Sequence, residues 1–170
     1  CGGSKVVIDN HEYIQVSDNV HGFYTVDGVY EIGNAAALVA MSSISLKEGE
    51  KVVLIADIDL DGVEFNGLSA HNPENNNTFD GQEYTVSNWT YTGKAADMGF
   101  IKNWVGPIKN LTIENASLQT AGRSAVIAAK VYSNIENCHV INCSIEDSYW
   151  ACGLIAGLYN GGSVSNCSVV

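Results

Sequence analysis

Short alternations of apolar and polar residues, separated by turn residues, run along most of this chain and predict strands. Phe23-Tyr24-Thr25-Val26 and Val29-Tyr30-Glu31-Ile32 flank Asp27-Gly28, a pair that accepts the positive φ angles of a tight reversing turn, so the segment reads as a hairpin. Lys5 to Ile8 and Glu12 to Val16 are also strand-like. Asn34 is placed to cap a short helix running to about Ser43, with Ala37, Met41 and Ile44 on one apolar face at i, i+4 and i+7. Lys51 to Leu60 reads as a strand with Ile58 and Leu60 on one side and Asp57, Asp59 and Asp61 on the other. Residues 66 to 78 are polar and Asn-rich and contain Pro73, the composition of a surface loop.

In the second half the pattern repeats. An apolar-x-Asn-x-x-apolar phrase occurs as Val86-Ser87-Asn88-Trp89-Thr90-Tyr91, Ile108-Lys109-Asn110-Leu111-Thr112-Ile113, Ile135-Glu136-Asn137-Cys138-His139-Val140 and Val164-Ser165-Asn166-Cys167-Ser168-Val169. The intervals are 22 (86 to 108), 27 (108 to 135) and 29 residues (135 to 164). A second marker, the hydrophobic strands Met98-Gly99-Phe100-Ile101, Ala125-Val126-Ile127-Ala128-Ala129 and Gly153-Leu154-Ile155-Ala156-Gly157, keeps nearly the same period. Repeats of this length are stacked supersecondary units. Two or three short strands per unit predict an all-β fold, a parallel β-helix in which inward residues form ladders of like on like. Asn110, Asn137 and Asn166 are expected to stack at one corner and bond their amides to the next turn, where the bending backbone also needs partners. The expected organisation is a tether over 1–12, an N-terminal cap with hairpin and short helix over 13–66, and β-helix repeats over 67–170. The cap would cover an edge that otherwise invites aggregation. Val170 falls inside a repeat phrase, which predicts either a pairing partner there or a longer protein.

Composition narrows the function classes. With 46% hydrophobic and 16% charged residues the chain is too apolar to be disordered. A net charge of −11, from 19 acidic and 8 basic side chains, lacks the basic patch of a nucleic-acid binder, so no nucleic acid is expected as partner. No apolar run approaches the roughly 20 residues of a membrane-spanning helix. The opening Cys1-Gly2-Gly3-Ser4 has the pattern of a bacterial lipoprotein after signal-peptide removal, which predicts lipid on Cys1, a membrane anchor and an extracytoplasmic location; the alternative is an arbitrary chain boundary. Cys138, Cys143, Cys152 and Cys167 are then an even set in an exported chain, compatible with disulfides. Cys138 and Cys167 hold equivalent repeat positions, which favours free buried thiols stacked as small apolar groups. There is no C-x-x-C or H-x-x-x-H pair, so neither zinc nor any cofactor is expected.

Several segments together resemble the GLUG-repeat proteins of bacterial cell surfaces. Asp27-Gly28-Val29-Tyr30-Glu31-Ile32 followed by Ala35 to Met41 is similar to the family's leading segment. Ala56-Asp57-Ile58-Asp59-Leu60 followed by Phe79-Asp80-Gly81-Gln82 resembles its A-D-I-D-L … F-D-G signature. Gly153 to Gly157 followed by Val164-Ser165-Asn166-Cys167-Ser168-Val169 resembles the repeat itself, so that the likeness spans residues 24–170. The resemblance implies a right-handed β-helix of the pectin-lyase type in secreted or surface-anchored proteins, among them adhesin-like lipoproteins. It implies no activity.

Three constellations bear on chemistry. Asp57-Ile58-Asp59-Leu60-Asp61-Gly62 copies the start of a calcium loop, but position 12 is Leu68 where a bidentate Glu is needed, so the acids read as one face of a strand. Polysaccharide lyases and glycosidases need clustered acids, with Lys or Arg added in lyases; here Asp97, Glu114, Arg123, Lys130, Glu136, Glu146 and Asp147 are scattered, and Arg123 is the only arginine. No G-x-S-x-G marks a serine nucleophile, and His139 is expected to point outward beside Cys138. Aromatic residues near strand ends offer more: Trp89, Trp104, Tyr132, Tyr149, Trp150 and Tyr159, with Tyr91 nearby, are the candidates for a platform that stacks sugar rings, against the reading that they fill corners of the core. The function expected is a non-enzymatic, adhesin-like surface module binding a glycan or protein; the alternatives are a structural spacer and a fragment of a polysaccharide-active β-helix enzyme.

Overall fold

The computed structural model describes residues 3–70, 72, 74–146 and 151–170. Four antiparallel strands come first: Lys5–Ile8, His11–Gln15, Phe23–Val26 and Val29–Ile32. Both tight reversals use left-handed residues, Asp9 and Asn10 at φ 48 and 64° and Asp27 and Gly28 at 48 and 76°, the geometry that gives a two-residue turn the twist of its strands. The tether expected over 1–12 is therefore structured from Lys5 onward, because Asp9-Asn10 folds Lys5–Ile8 back on its neighbour. The helix covers Ala35–Met41, with the Asn34 side chain accepting from the Ala37 N–H at 2.9 Å. It stops short of the expected Ser43; Ile44 lies beyond its end but still packs against the core.

Val29–Ile32 pairs parallel with Lys51–Leu54, which pairs parallel with Thr78–Asp80. The β-helix thus begins at Lys51 rather than at 67. That first rung carries no Asn phrase, so the repeat pattern does not mark it. From there the chain winds through about four coils. One coil reads Ile108–Lys109, Thr112–Glu114, Ser117–Gln119, Arg123–Ser124 and Ala128–Val131. Each of these strands stacks in parallel between its equivalents one coil earlier and one coil later, with an isolated bridge from Ser124 to Cys152 completing the fourth position.

Inside, the ladders are apolar: Val52, Phe79, Ile108 and Ile135 in one, Ile58, Val86, Ile113 and Val140 in the next, all at most 1% exposed. Phe65, Phe79, Trp89, Phe100 and Trp104 form an aromatic cluster in the early coils, with ring centroids 5.4 to 6.4 Å apart in tilted or edge-to-face contact, the arrangements that ring quadrupoles favour.

The pairing also corrects the register of the repeat. Val86 stacks on Ile113, not on Ile108; the residue under Ile108 is Phe79. There are two Asn corners per coil. Asn110, Asn137 and Asn166 occupy the first, at φ 57, 49 and 49°, and Asn88, Asn115 and Asn142 the second, at 60, 56 and 50°. Asparagine tolerates this left-handed conformation better than other side-chain-bearing residues. Ile113-Glu114-Asn115-Ala116-Ser117-Leu118 and Val140-Ile141-Asn142-Cys143-Ser144-Ile145 carry the same apolar-x-Asn-x-x-apolar phrase, overlapping the first set.

Candidate functional site

The two corners build hydrogen-bonded columns. In the first, Asn110 donates to Asp80 Oδ1 (3.0 Å), Asn137 to Asn110 (3.0 Å) and Asn166 to Asn137 (3.1 Å), so the expected stacking of Asn110, Asn137 and Asn166 is present. In the second, Asn88 donates to Asp59 Oδ1 (3.0 Å) and Asn142 to Asn115 (2.7 Å). Aspartates therefore receive the amides at the top of both columns. Asp57 Oδ1 accepts the Thr85 N–H at 2.8 Å, and Asp59 also accepts the Asp61 N–H. The Asn88 amide, with that N–H, holds the Asp59 carboxyl below its ordinary range. The Asp57-Asp59-Asp61 face is the start of the stack, and Ile58 and Leu60 are buried opposite it as the alternation predicts.

The aromatic platform does not assemble as expected. Trp89 is 0% and Trp104 1% exposed. Trp89 follows a corner Asn, the inward position also held by Leu111, Ala116 and Cys138, and its Nε1 donates to the Phe65 carbonyl at 3.0 Å. Trp104 stands in an inward ladder between Ala70 and Val131, small neighbours that leave room for an indole, and its Nε1 donates to the Asn77 carbonyl at 3.0 Å. Indoles enclosed to this degree have no face left for a ligand. Tyr159 continues that ladder beneath Val131, half-buried, with a buried hydroxyl that lacks a partner. Tyr132 is 39% exposed. Tyr149, Trp150 and Cys1 lie outside the described residues.

His139 points outward as expected. One ring nitrogen lies 3.0 Å from Asn137 Oδ1 and the other 2.6 Å from Ser168 Oγ. The tautomer that donates from Nε2 to the amide oxygen leaves Nδ1 to accept from the serine. This copies the order of a nucleophile, base and orienting group, but the orienting atom is a neutral amide oxygen. Among the described residues no carboxylate is bonded to the ring to stabilise the imidazolium that proton abstraction would create.

Among the described residues the four cysteines are free thiols, and they are not uniformly buried as the stacking expectation required. Cys138 is buried, Cys143 and Cys167 are half-buried, and Cys152 is exposed because its strand position is reduced to a single bridge. Burial pushes the Cys138 thiol up to about 12 and also raises Cys143. Since the thiolate is the reactive form, maleimide under native conditions is expected to label Cys152 first among these four and to reach Cys138 only after unfolding. Peptide mapping by mass spectrometry checks this; native labelling of Cys138 would contradict the burial.

What the coiling does bring together is a charged cluster that no local motif announces. Asp97 and Arg123 are 26 residues apart in sequence but stack as neighbours across adjacent coils. The Arg123 guanidinium donates from Nε to Asp97 Oδ1 (2.8 Å) and from Nη2 to Oδ2 (3.0 Å), the bidentate geometry that fixes both side chains. Lys130 Nζ lies 3.7 Å from Asp97 Oδ2. Asn103, the residue paired with Lys130 on the preceding coil, has a buried Oδ1 without a hydrogen-bond partner. Beside the cluster opens a surface cavity of about 340 Å³ lined by Ala96, Asp97, Ala121, Gly122 and Arg123. At Gly122 a Cβ would run into the Ala96 carbonyl, so glycine is what lets these two wall segments approach each other this closely.

No protein-family model and no curated protein matches the chain. Among solved structures it is similar to a Bacteroides ovatus protein provisionally named an immunoglobulin A1 protease, with a TM-score of 0.58 and 21% identity over 85% of this chain. The match spans 57% of that protein's chain. It establishes the shared β-helix fold.

Proposed function

We propose that the chain is a non-enzymatic module of a bacterial cell-surface or secreted protein that binds a glycan or protein ligand on a lateral face of its β-helix. The observation that carries this reading is the outward side of the coils. Thr85, Thr112, His139 and Ser168 form one stacked row, and Thr90, Ser117 and Ser144 another. Rows of short polar side chains on a hydrogen-bonded parallel backbone offer donors and acceptors at fixed spacing, so little ordering entropy is lost on binding. The GLUG-repeat resemblance supports a surface setting, and in this reading Cys1 carries the lipid that anchors the module. The Bacteroides ovatus neighbour bears the name of a protease, but its likeness to this chain extends to fold alone.

The test is a glycan array and a pull-down from host extracellular matrix with the Cys1→Ser protein, run beside reducing-end assays on the same polysaccharides. Binding without cleavage is expected. Cleavage, or the absence of both glycan and protein binding, would overturn the reading. For the anchor, palmitate incorporation that is lost in Cys1→Ser is the expected result.

A further inference from the structure

We infer that the Asp97–Arg123–Lys130 cluster is a binding site for a carboxylated sugar, a single negative charge on an otherwise neutral saccharide. The inference rests on the binding-module reading and gives it a location. Among the described residues, two cations share one carboxylate here, a trio of net positive charge on a chain of net charge −11. A guanidinium has about five N–H donors, and Asp97 takes two of Arg123's. The Lys130 ammonium, at 3.7 Å, lies beyond hydrogen-bond length from Asp97 and keeps donors for an incoming group. Both side chains are partly shielded, at 30% and 20% exposure, so an incoming carboxylate meets them in less water than at an open surface.

The ligand's chemistry follows from the surroundings. Arg123 is held rigid by Asp97 and presents its remaining donors without further ordering, as planar carboxylate recognition requires. The adjoining wall includes Ala96 and Ala121, whose methyl groups offer an apolar surface for the C–H face of a sugar ring. A polyanion or an acidic peptide would bring further charges within the roughly 8 Å over which, at physiological salt, the surface carboxylates of an acidic protein still repel them. One carboxylate on a neutral body avoids that repulsion.

The experiment is an NMR titration of the Cys1→Ser protein with D-glucuronate, with D-glucose and acetate as controls. Glucuronate is expected to shift the amides around 96–97 and 121–123, with both controls at least tenfold weaker. Arg123→Gln should weaken glucuronate tenfold or more and Lys130→Met several-fold. Asp97→Asn should strengthen it several-fold, because it removes the competing charge while keeping a neutral acceptor for Nε. A merely structural ion pair predicts no gain in Asp97→Asn. Thermal melts identify any variant that fails to fold, and Arg123→Lys, which keeps the charge but loses the bidentate fork, then supplies the loss-of-affinity comparison. No glucuronate binding, equal binding of glucose or acetate, or loss of affinity in folded Asp97→Asn would overturn the site. Array binding that survives Arg123→Gln would overturn this site while leaving the module reading intact.

Discussion

Trp104→Ala is expected to cost about 3–5 kcal/mol of folding stability, which for a domain stabilised by some 5–15 kcal/mol removes a large part of the total. The indole is fully enclosed, packs edge-on against Phe79 at 6.2 Å and donates to the Asn77 carbonyl. Its loss leaves a void among the first coils and an unpaired buried carbonyl, which alone costs about 1–3 kcal/mol. The affected residue is a junction: the Asn77 side chain donates to the Lys47 and Glu50 carbonyls, both at 2.8 Å, tying the segment after the helix to the second coil. Urea denaturation checks the prediction. Trp104→Phe should lose less, because a ring remains against Phe79. A platform residue would behave in the opposite way, with stability kept and ligand affinity lost.

The second large effect is expected at Asn137. It holds a left-handed backbone at φ 49°, donates to Asn110 Oδ1 and to Glu83 Oε1 (2.6 Å), and accepts from Asn166 and His139. Asn137→Ala forces a Cβ-bearing residue without a polar side chain into a conformation costing about 1–2 kcal/mol, and removes contacts worth about 1 kcal/mol each where they are shielded. A loss of about 2–4 kcal/mol is expected. Asn137→Gly should recover the backbone part and leave the rest. Equal stability of Asn137→Gly and wild type in urea titrations would mean that the column of amides contributes nothing.

Periodicity reveals the coil because ladder positions hold similar residues, Ile108 over Ile135 and Ile113 over Val140. It misplaces the earliest rung because one phrase serves two corners, so Asn88 matches Asn110 as well as it matches its true neighbour Asn115. The same ambiguity hides the fate of Trp89. Once the second corner is recognised, the residue after each corner Asn is inward, and the indole belongs to the core. Trp104 is harder, since its place is defined by pairing with Ala70 and Val131 rather than by a neighbouring motif. The start of the β-helix at Lys51 is obscured because aspartates, Asp59 and Asp80, do there what asparagines do later. The Asp97–Arg123 pair lies beyond local reasoning altogether. Its residues meet only when the coil length at that position is known.

The amide columns, the outward polar rows and the charged cluster all depend on that register, and cross-linking measures it most directly. In a Cys152→Ser background, Thr85→Cys with Thr112→Cys places two outward thiols on stacked neighbours. Asn88→Cys with Asn110→Cys places them where the simple sequence repeat would stack them. Under mild oxidation, mass spectrometry is expected to find the 85–112 disulfide and no 88–110 disulfide. The reverse outcome would contradict the coil register and, with it, the site formed by Asp97, Arg123 and Lys130.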